Sequence, residues 1–457
     1  MNTFHTYHSS IKTSVLRNLI LPLGDLVFGQ KMMSRLNFLE KAQWWHPQKI
    51  YEKQFEYLSQ LIQISYKEVP IYRNLMNACG VEPHLIKKAD DLIYLPVMTK
   101  DMLRAGYPGM TTRSTGQRTY EACTSGSTGK NFYVMEDAFT AGWYRATFLL
   151  CLEWAGWKIG ETHFQTGMTT KRSFDRMLKD WAFGCHYSSA YLLDDTHLEE
   201  MLSTIEKYHI KYIFGYPASL YYLAKYAKKC GWNQAMKSAV TWGDMLYPHY
   251  RHEIESSFMT KVYDTYGCAE GIHISAQCEY GNYHIHALDG VVEFLDDNEK
   301  PVKPGEEGNI VVTRLHPGPM PLIRYAVGDR GIAAESERCP CGRGYPLMKS
   351  IQGRNTDVVF TPSGNRLIVH FFTGILEHFP CVDAFQVVQN TIDSIQLCIV
   401  PRDNYTSQTS ELIIESLKQK GCSDLQINIE LVDELPLSLT GKNRFVISNL
   451  PKSINTN

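Results

Sequence analysis

The sequence predicts an α/β fold: a large N-terminal domain on mostly parallel sheets with a β subdomain, followed by a small mobile α+β C-terminal domain. Three observations carry this. The chain has 457 residues, too many for one core and enough for two or three domains. After residue 130, strand-like and helix-like runs alternate, the pattern of parallel strands joined by helical crossovers. Past Val291 that alternation gives way to short strands joined by proline- and glycine-rich turns.

The elements follow in order. Residues 37–68 read as largely helical with a break at Pro47, since Phe38, Leu39, Trp44 and Trp45 precede it and Tyr51, Phe55, Leu58, Leu61 and Ile62 follow at helical spacing. Pro70-Ile71-Tyr72-Arg73 and Leu95-Pro96-Val97 read as docking turns. Phe132 to Met135 is a short strand, Ala138 to Trp154 a helix, and Leu198 to His209 a second helix leading into the strand Tyr212 to Phe214. Gly215 to Ser219 opens a further helix. Val291 to Phe294 and Asn309 to Val312 are strands of a β subdomain spanning about 291–352. Beyond it, strands at Ala384 to Val388, Ser394 to Val400 and Gln426 to Val432, with a helix at Glu411 to Lys420, make a compact α+β unit. The expected division is therefore 1–352, opening with a helical extension over 1–100, and 353–457, with a boundary at 353–357.

Composition narrows the function. Hydrophobic residues make up 44% and charged residues 21%, as in ordinary globular proteins, and a net charge of −2 offers nucleic acid no broad basic field. The 12 cysteines lack secreted disulfide spacing, which points to a reducing cytoplasm. The apolar run from Leu19 to Phe28 is broken by Pro22 and Asp25 and falls short of the ~20 residues a spanning helix needs. It reads as a buried or docking segment, with peripheral membrane contact as the alternative.

The densest chemistry lies in Thr124-Ser125-Gly126-Ser127-Thr128-Gly129-Lys130. Glycines let backbone N–H groups close around an anion, hydroxyls add donors, and the lysine adds charge. The spacing is not that of a Walker A loop, and a solvated turn is the bland alternative. Tyr266-Gly267-Cys268-Ala269-Glu270 leaves a strand for a turn, where Glu270 is placed to hold magnesium; the competing reading is a surface turn. Gly328-Asp329 sets a carboxylate at a strand end, suited to two ribose hydroxyls. Gly441-Lys442 carries a lysine on a loop near the C-terminus, otherwise an exposed hairpin lysine.

Cys339-Pro340-Cys341-Gly342-Arg343 supplies two thiolates, and Cys278 with His284 or His286 completes a tetrahedral set of the closed kind used by structural zinc. The alternatives are reduced, metal-free cysteines or a redox pair, the last disfavoured because the spacing is not Cys-x-x-Cys.

Taken in order, these segments resemble the adenylate-forming (acyl- and aryl-coenzyme A synthetase) superfamily. Within it the chain is most similar to the phenylacetate–coenzyme A ligase branch, through the Cys339-Pro340-Cys341-Gly342-Arg343 turn and Glu68-Val69-Pro70-Ile71-Tyr72. Its Gln43-Trp44-Trp45 opening looks like that of members encoded in capsular-polysaccharide clusters. The resemblance covers nearly the whole chain and implies ATP-dependent activation of a carboxylic acid as an acyl-adenylate, followed by transfer to coenzyme A. An amine acceptor, in surface-polysaccharide modification, is the alternative; a catalytically silent binding subunit is a second.

The same resemblance assigns roles. The loop Thr124, Ser125, Gly126, Ser127, Thr128, Gly129 and Lys130 would hold the β- and γ-phosphates, and Glu270 magnesium. Tyr266 and Gly267 would line the nucleotide site, Gly243 and Asp244 would contact adenine, and Asp329 and Arg354 would hold the ribose. Lys442 would reach the reacting carboxylate and α-phosphate from a C-terminal domain that swings about a hinge near Gly353 and Arg354.

Overall fold

The computed structural model describes residues 13–125, 131–169, 172–336, 338–353, 359–367, 369–376, 378–433, 435 and 446–450. Among them, eleven strands form one continuous sheet. One half is parallel. Its strands Cys185–Ser189, His163–Gly167, Tyr212–Gly215, Ser238–Thr241 and Val262–Cys268 lie in that spatial order, joined by helical crossovers. The other half is antiparallel, running through Ile272–Gln277, Tyr283–Ile285, Leu347–Gly353, Tyr325–Ala333 and Glu307–Arg314 to Gly290–Leu295 at the far edge. The predicted α/β class therefore stands. The strands expected as a β subdomain continue the main sheet, because Tyr283–Ile285 pairs on one side with Ile272–Gln277 and on the other with Leu347–Gly353.

The helix Ala138–Trp154 is central to the core. It starts from a capping box at Asp137 and Thr140, and buries Trp143, Leu150 and Trp154 between the sheet and the N-terminal helices. The break at Pro47 is where the helix Pro47–Glu68 begins, with proline in its first turn. Pro70-Ile71-Tyr72-Arg73, expected as a turn, instead opens the helix Pro70–Cys79. Proline at a first helical position loses no hydrogen bond and presets a helical φ, so it can open a helix as readily as a turn. Tyr72, on that helix, is fully buried and donates its hydroxyl to the Pro321 carbonyl at 3.0 Å. Leu95-Pro96-Val97 docks as expected, since Met98 N–H donates to the Arg324 carbonyl at 2.8 Å and Met98 bridges Tyr325.

At the C-terminal end a separate four-stranded sheet runs in the order Gln426–Leu431, Ser394–Pro401, Val382–Thr391, Val446–Ser448. The helices Val369–Leu376 and Ser407–Leu417 accompany it, the second starting earlier than expected at a capping box on Thr406. Phe371 and Phe372 fill this core. Its apolar cluster continues into Tyr191, Tyr216, Ala218 and Tyr250 of the larger domain, and the Tyr191 and Phe371 rings meet edge-on at 4.9 Å. The expected hinge beyond Gly353 lies outside the described residues.

Candidate functional site

Glu270 follows the strand Val262–Cys268 and is almost completely buried, so the surface-turn alternative does not hold for it. A carboxylate taken out of water needs partners. Lys100 supplies one, with Nζ 2.9 Å from Oε1, and the Tyr325 hydroxyl donates to the same oxygen at 2.6 Å. Arg314, itself buried and paired with Glu136, donates to the Glu270 carbonyl at 3.0 Å and fixes the backbone of the turn. Burial pushes the Glu270 carboxyl up, but the Lys100 ammonium and the Tyr325 hydroxyl outweigh it and hold the group below the usual carboxylate range. An ionised, hydrogen-bonded carboxylate of this kind fits a hard cation such as magnesium.

Close packing explains the glycine in Tyr266-Gly267. A Cβ at Gly267 would stand 2.8 Å from the Ile272 carbonyl oxygen. Tyr266 points across to Asp329, its hydroxyl donating to Oδ2 at 2.9 Å. The Gly328-Asp329 pair was expected at a strand end; it instead lies inside the strand Tyr325–Ala333, at a register shift opposite Asn309 and Val311. Gly328 takes φ +91°, and such a bulge re-aims the neighbouring side chain without ending the strand. Gly243 sits just past the strand Ser238–Thr241 at φ +77°, pressed against the Tyr216 ring, and Asp244 accepts from Met245 N–H at 2.8 Å. Tyr266, Gly267, Asp329, Gly243, Asp244 and Glu270 thus lie on or just beyond strands of one sheet, with the Tyr266–Asp329 hydrogen bond linking strands that are not adjacent in it.

Thr124 and Ser125 end the strand Thr119–Ser125, whose antiparallel partner Asn131–Asp137 pairs to it as far as Ser125 opposite Asn131. Gly126, Ser127, Thr128, Gly129 and Lys130 lie outside the described residues, as do Arg354 and Lys442.

The sulfur and imidazole ligands converge. One ligand atom each from Cys278, His284, Cys339 and Cys341 lies within 4.8 Å of all the others. Cys278 and Cys339 sulfurs are 3.6 Å apart, and Cys341 Sγ is 3.2 Å from His284 Nε2. Tetrahedral zinc with bonds of ~2.3 Å to sulfur would space its sulfurs about 3.8 Å apart, so the donor set fits. His284 Nδ1 faces the Tyr345 carbonyl at 3.2 Å, the kind of outer contact that fixes a ligand ring. Between the two histidines, the geometry selects His284. His286 turns away, its Nε2 lying 3.2 Å from Cys151 Sγ.

Gln43, Trp44 and Trp45 close over this turn. Arg343 lies 4.9 Å from the Trp44 ring centre and 4.7 Å from that of Trp154, and its Nε donates to Gln43 Oε1 at 3.0 Å. Gly344 N–H donates to the Gln43 carbonyl at 2.8 Å, and a Cβ there would collide with the Trp45 carbonyl.

Sequence reading missed two buried groups, Lys100 beside Glu270 and His273 on the next strand. Lys100 begins a short helix capped by Thr99, and the dipeptide carries no motif. His273 is buried, its ring 4.3 Å from Tyr144 and 5.0 Å from Phe148, with no hydrogen-bond partner on either nitrogen among the described residues. Burial alone pushes its pKa down to about 3, so it is neutral. Of the aromatic residues near this sheet, Phe214 and Tyr222 belong to packed cores, while Tyr191 and Tyr216 join the apolar cluster of the C-terminal sheet.

Comparison with known proteins finds relatives of the whole chain and of its fold. The family profile described as the CapK C-terminal domain matches residues 359–449. The chain is 25% identical to the phenylacetate-coenzyme A ligase of Thermus thermophilus, over 82% of this chain and 85% of that one. It is 22% identical to the protein CapK of Staphylococcus aureus, over 97% and 98% respectively. Among solved structures, 2-hydroxyisobutyryl-CoA ligase in complex with 2-HIB-AMP and CoA, in its thioesterification state, aligns with a TM-score of 0.57 at 18% identity. That alignment covers 89% of this chain and 91% of the ligase. An open conformation of the same ligase gives 0.54 at 20% identity, covering 86% and 90%. The relatives are thus phenylacetate–coenzyme A ligases and CapK, and the fold is that of the adenylate-forming coenzyme A ligases. No helix among the described residues is long and apolar enough to cross a membrane.

Proposed function

We propose, for a chain whose relatives are adenylate-forming ligases, that it activates a carboxylic acid with ATP and passes the acyl group to coenzyme A. In the first step an oxygen of the acid attacks the α-phosphorus of ATP, the bond to the β-phosphate breaks, and pyrophosphate leaves. In the second, the thiol sulfur attacks the acyl carbon, loses its proton, and AMP departs. The observation that carries this reading is the buried, ionised Glu270 beside Lys100, on the same sheet as the Tyr266–Asp329 pair.

Each residue has a task. Glu270 would hold magnesium, which when bound neutralises the phosphate charge. Asp329, aimed by Tyr266, would accept from the ribose hydroxyls together with Arg354, and Gly243 with Asp244 would meet the adenine. The hydroxyls and N–H groups of 124–130 with Lys130 would grip the leaving pyrophosphate, and Lys442 would stabilise charge at the forming bond. The division into 1–352 and 353–457 would let Lys442 withdraw before the second step. Cys278, His284, Cys339 and Cys341 would hold a structural zinc remote in role from the chemistry. The cysteines are free, which supports a reducing compartment such as the cytoplasm.

An amine as acceptor is the second reading, left open because the match to CapK along 97% of the chain names no acceptor. The deciding experiment is ATP–pyrophosphate exchange over a panel of carboxylic acids, then discharge of the adenylate by coenzyme A or by amines. Lys442→Ala should lower exchange on the order of 10²–10³-fold, the usual loss for one preorganised charge contact. If no acid elicits exchange, the chain is a binding subunit instead.

A further inference from the structure

Two helices expose apolar side chains that a folded protein normally covers. On the helix Phe174–Phe183, Phe174 is 82% exposed, Trp181 77%, and Met177 and Leu178 56% each. Their spacing of three and four residues puts them on one stripe. Leu21–Phe28 adds Leu23, Leu26 at 82% and Val27 at 76%. The two are linked through one residue, Arg145, at one corner of the molecule. Arg145 donates to the side chain of Gln30, just past the first of them, and its charge reaches Lys179 on the second.

The charge beside the stripe identifies what it fits. The chain as a whole carries −2, yet residues 171–180 hold Lys171, Arg172, Arg176 and Lys179 against Asp175 and Asp180. Asp180 is engaged by Arg172 in two hydrogen bonds of 2.8 and 2.9 Å. Burial first, then Arg145, Arg172 and Arg176 against the opposing charge of Asp180, push the Lys179 pKa down. A second copy of this chain would bring the same cations face to face across a two-fold interface, which repels. An apolar stripe with Trp and Phe, edged by Lys and Arg, is instead the composition of helices lying in the plane of an anionic bilayer.

We infer that this corner docks the protein on an anionic lipid surface, with Phe174, Met177, Leu178 and Trp181 entering the headgroup–acyl boundary and Arg145, Arg176 and Lys179 meeting lipid phosphates. The inference is independent of the reaction proposed above. Acyl transfer would then take place beside the membrane.

The test uses the full-length protein with vesicles of phosphatidylglycerol and phosphatidylcholine in equal parts, and of phosphatidylcholine alone. Co-sedimentation is expected with the anionic vesicles, at least tenfold weaker with the neutral ones, and reduced by raised salt. Trp181 emission should shift to the blue on binding, and Trp181→Phe should abolish that shift. Met177→Ser with Leu178→Ser should weaken binding at least tenfold while exchange with a soluble acid is unchanged, which separates docking from folding and from catalysis. Equal binding to both vesicle types, no blue shift, or a concentration-dependent dimer in light scattering that disappears in the Met177→Ser, Leu178→Ser variant would each overturn the inference.

Discussion

Lys100 Nζ stands 2.9 Å from Glu270 Oε1, and both groups are shielded from water, with 14% and 3% of their side chains exposed. The pair joins a helix of the N-terminal region to the end of a central strand. Removing one partner of such a pair leaves a buried uncompensated charge and costs about 3–5 kcal/mol. Lys100 also holds Glu270 ionised, being the largest influence opposing burial.

Lys100→Met should therefore raise the Glu270 pKa. The acid limb of the pH profile for exchange should move up by about 1–3 units, since the carboxylate proposed to hold magnesium would form only at higher pH. Thermal unfolding of the variant separates this from collapse of the fold. A variant that stays folded and keeps the wild-type acid limb would show that Glu270 is held ionised by something else.

Tyr266→Phe tests the aim of Asp329. It removes one hydrogen bond to a carboxylate and leaves the ring, so the expected loss is about 1.5–3 kcal/mol. Because the ribose is bound alike before and during reaction, that loss should fall on KM for ATP, roughly 10- to 100-fold, with kcat nearly unchanged. A fall in kcat alone would place Tyr266 at the reacting atoms instead.

One zinc per chain is expected by elemental analysis. His284→Asn should lose the metal, whereas His286→Asn should keep it, because only His284 lies with the three sulfurs. Chelation should lower the melting temperature of the wild type and leave that of His284→Asn unmoved. Arg343 and Gln43 bind the N-terminal helices to this turn, so the loosening should also raise protease cleavage near Trp44 and Trp45.

These groups were unequally legible in the sequence. Tyr266-Gly267, Gly328-Asp329 and the cysteine turn could be read because each packs several chemically distinctive residues into a few positions. The parallel strands followed from their alternation with helices. Lys100 left no such trace, since its partner is set only by the fold that brings the start of one short helix to the end of a distant strand. The signal that could have found it is the docking turn before it, with Met98 bridging Tyr325, whose hydroxyl also reaches Glu270. Pro70 misled for a local reason: proline marks helix starts and turns alike, and the burial of Tyr72 that decides between them is tertiary.

His273 and Asp289 should give stability opposite dependences on pH. Burial lowers the His273 pKa to about 3, against about 6.5 for an exposed imidazole. Below pH ~6.5 the unfolded chain takes up a proton that the folded one refuses, so this residue's contribution to stability is lost as pH falls from ~6.5 towards 3. Asp289 is the reverse: burial raises its carboxyl to about 7, so below that the folded state holds the extra proton. Its contribution is fully present below the ordinary value near 3.9 and is lost as pH rises through about 7. His273→Phe keeps an aromatic ring between Tyr144 and Phe148 and removes the first effect. Going from pH 7.5 to 5, it should gain about 2 kcal/mol relative to wild type in denaturant unfolding, at ~1.4 kcal/mol per pH unit below 6.5. Asp289→Asn should lose stability relative to wild type over the same interval, because it cannot take up the proton that favours the folded chain. Equal shifts of both variants with pH would mean that neither group is shut away from water as the packing around Tyr144 and Arg314 requires.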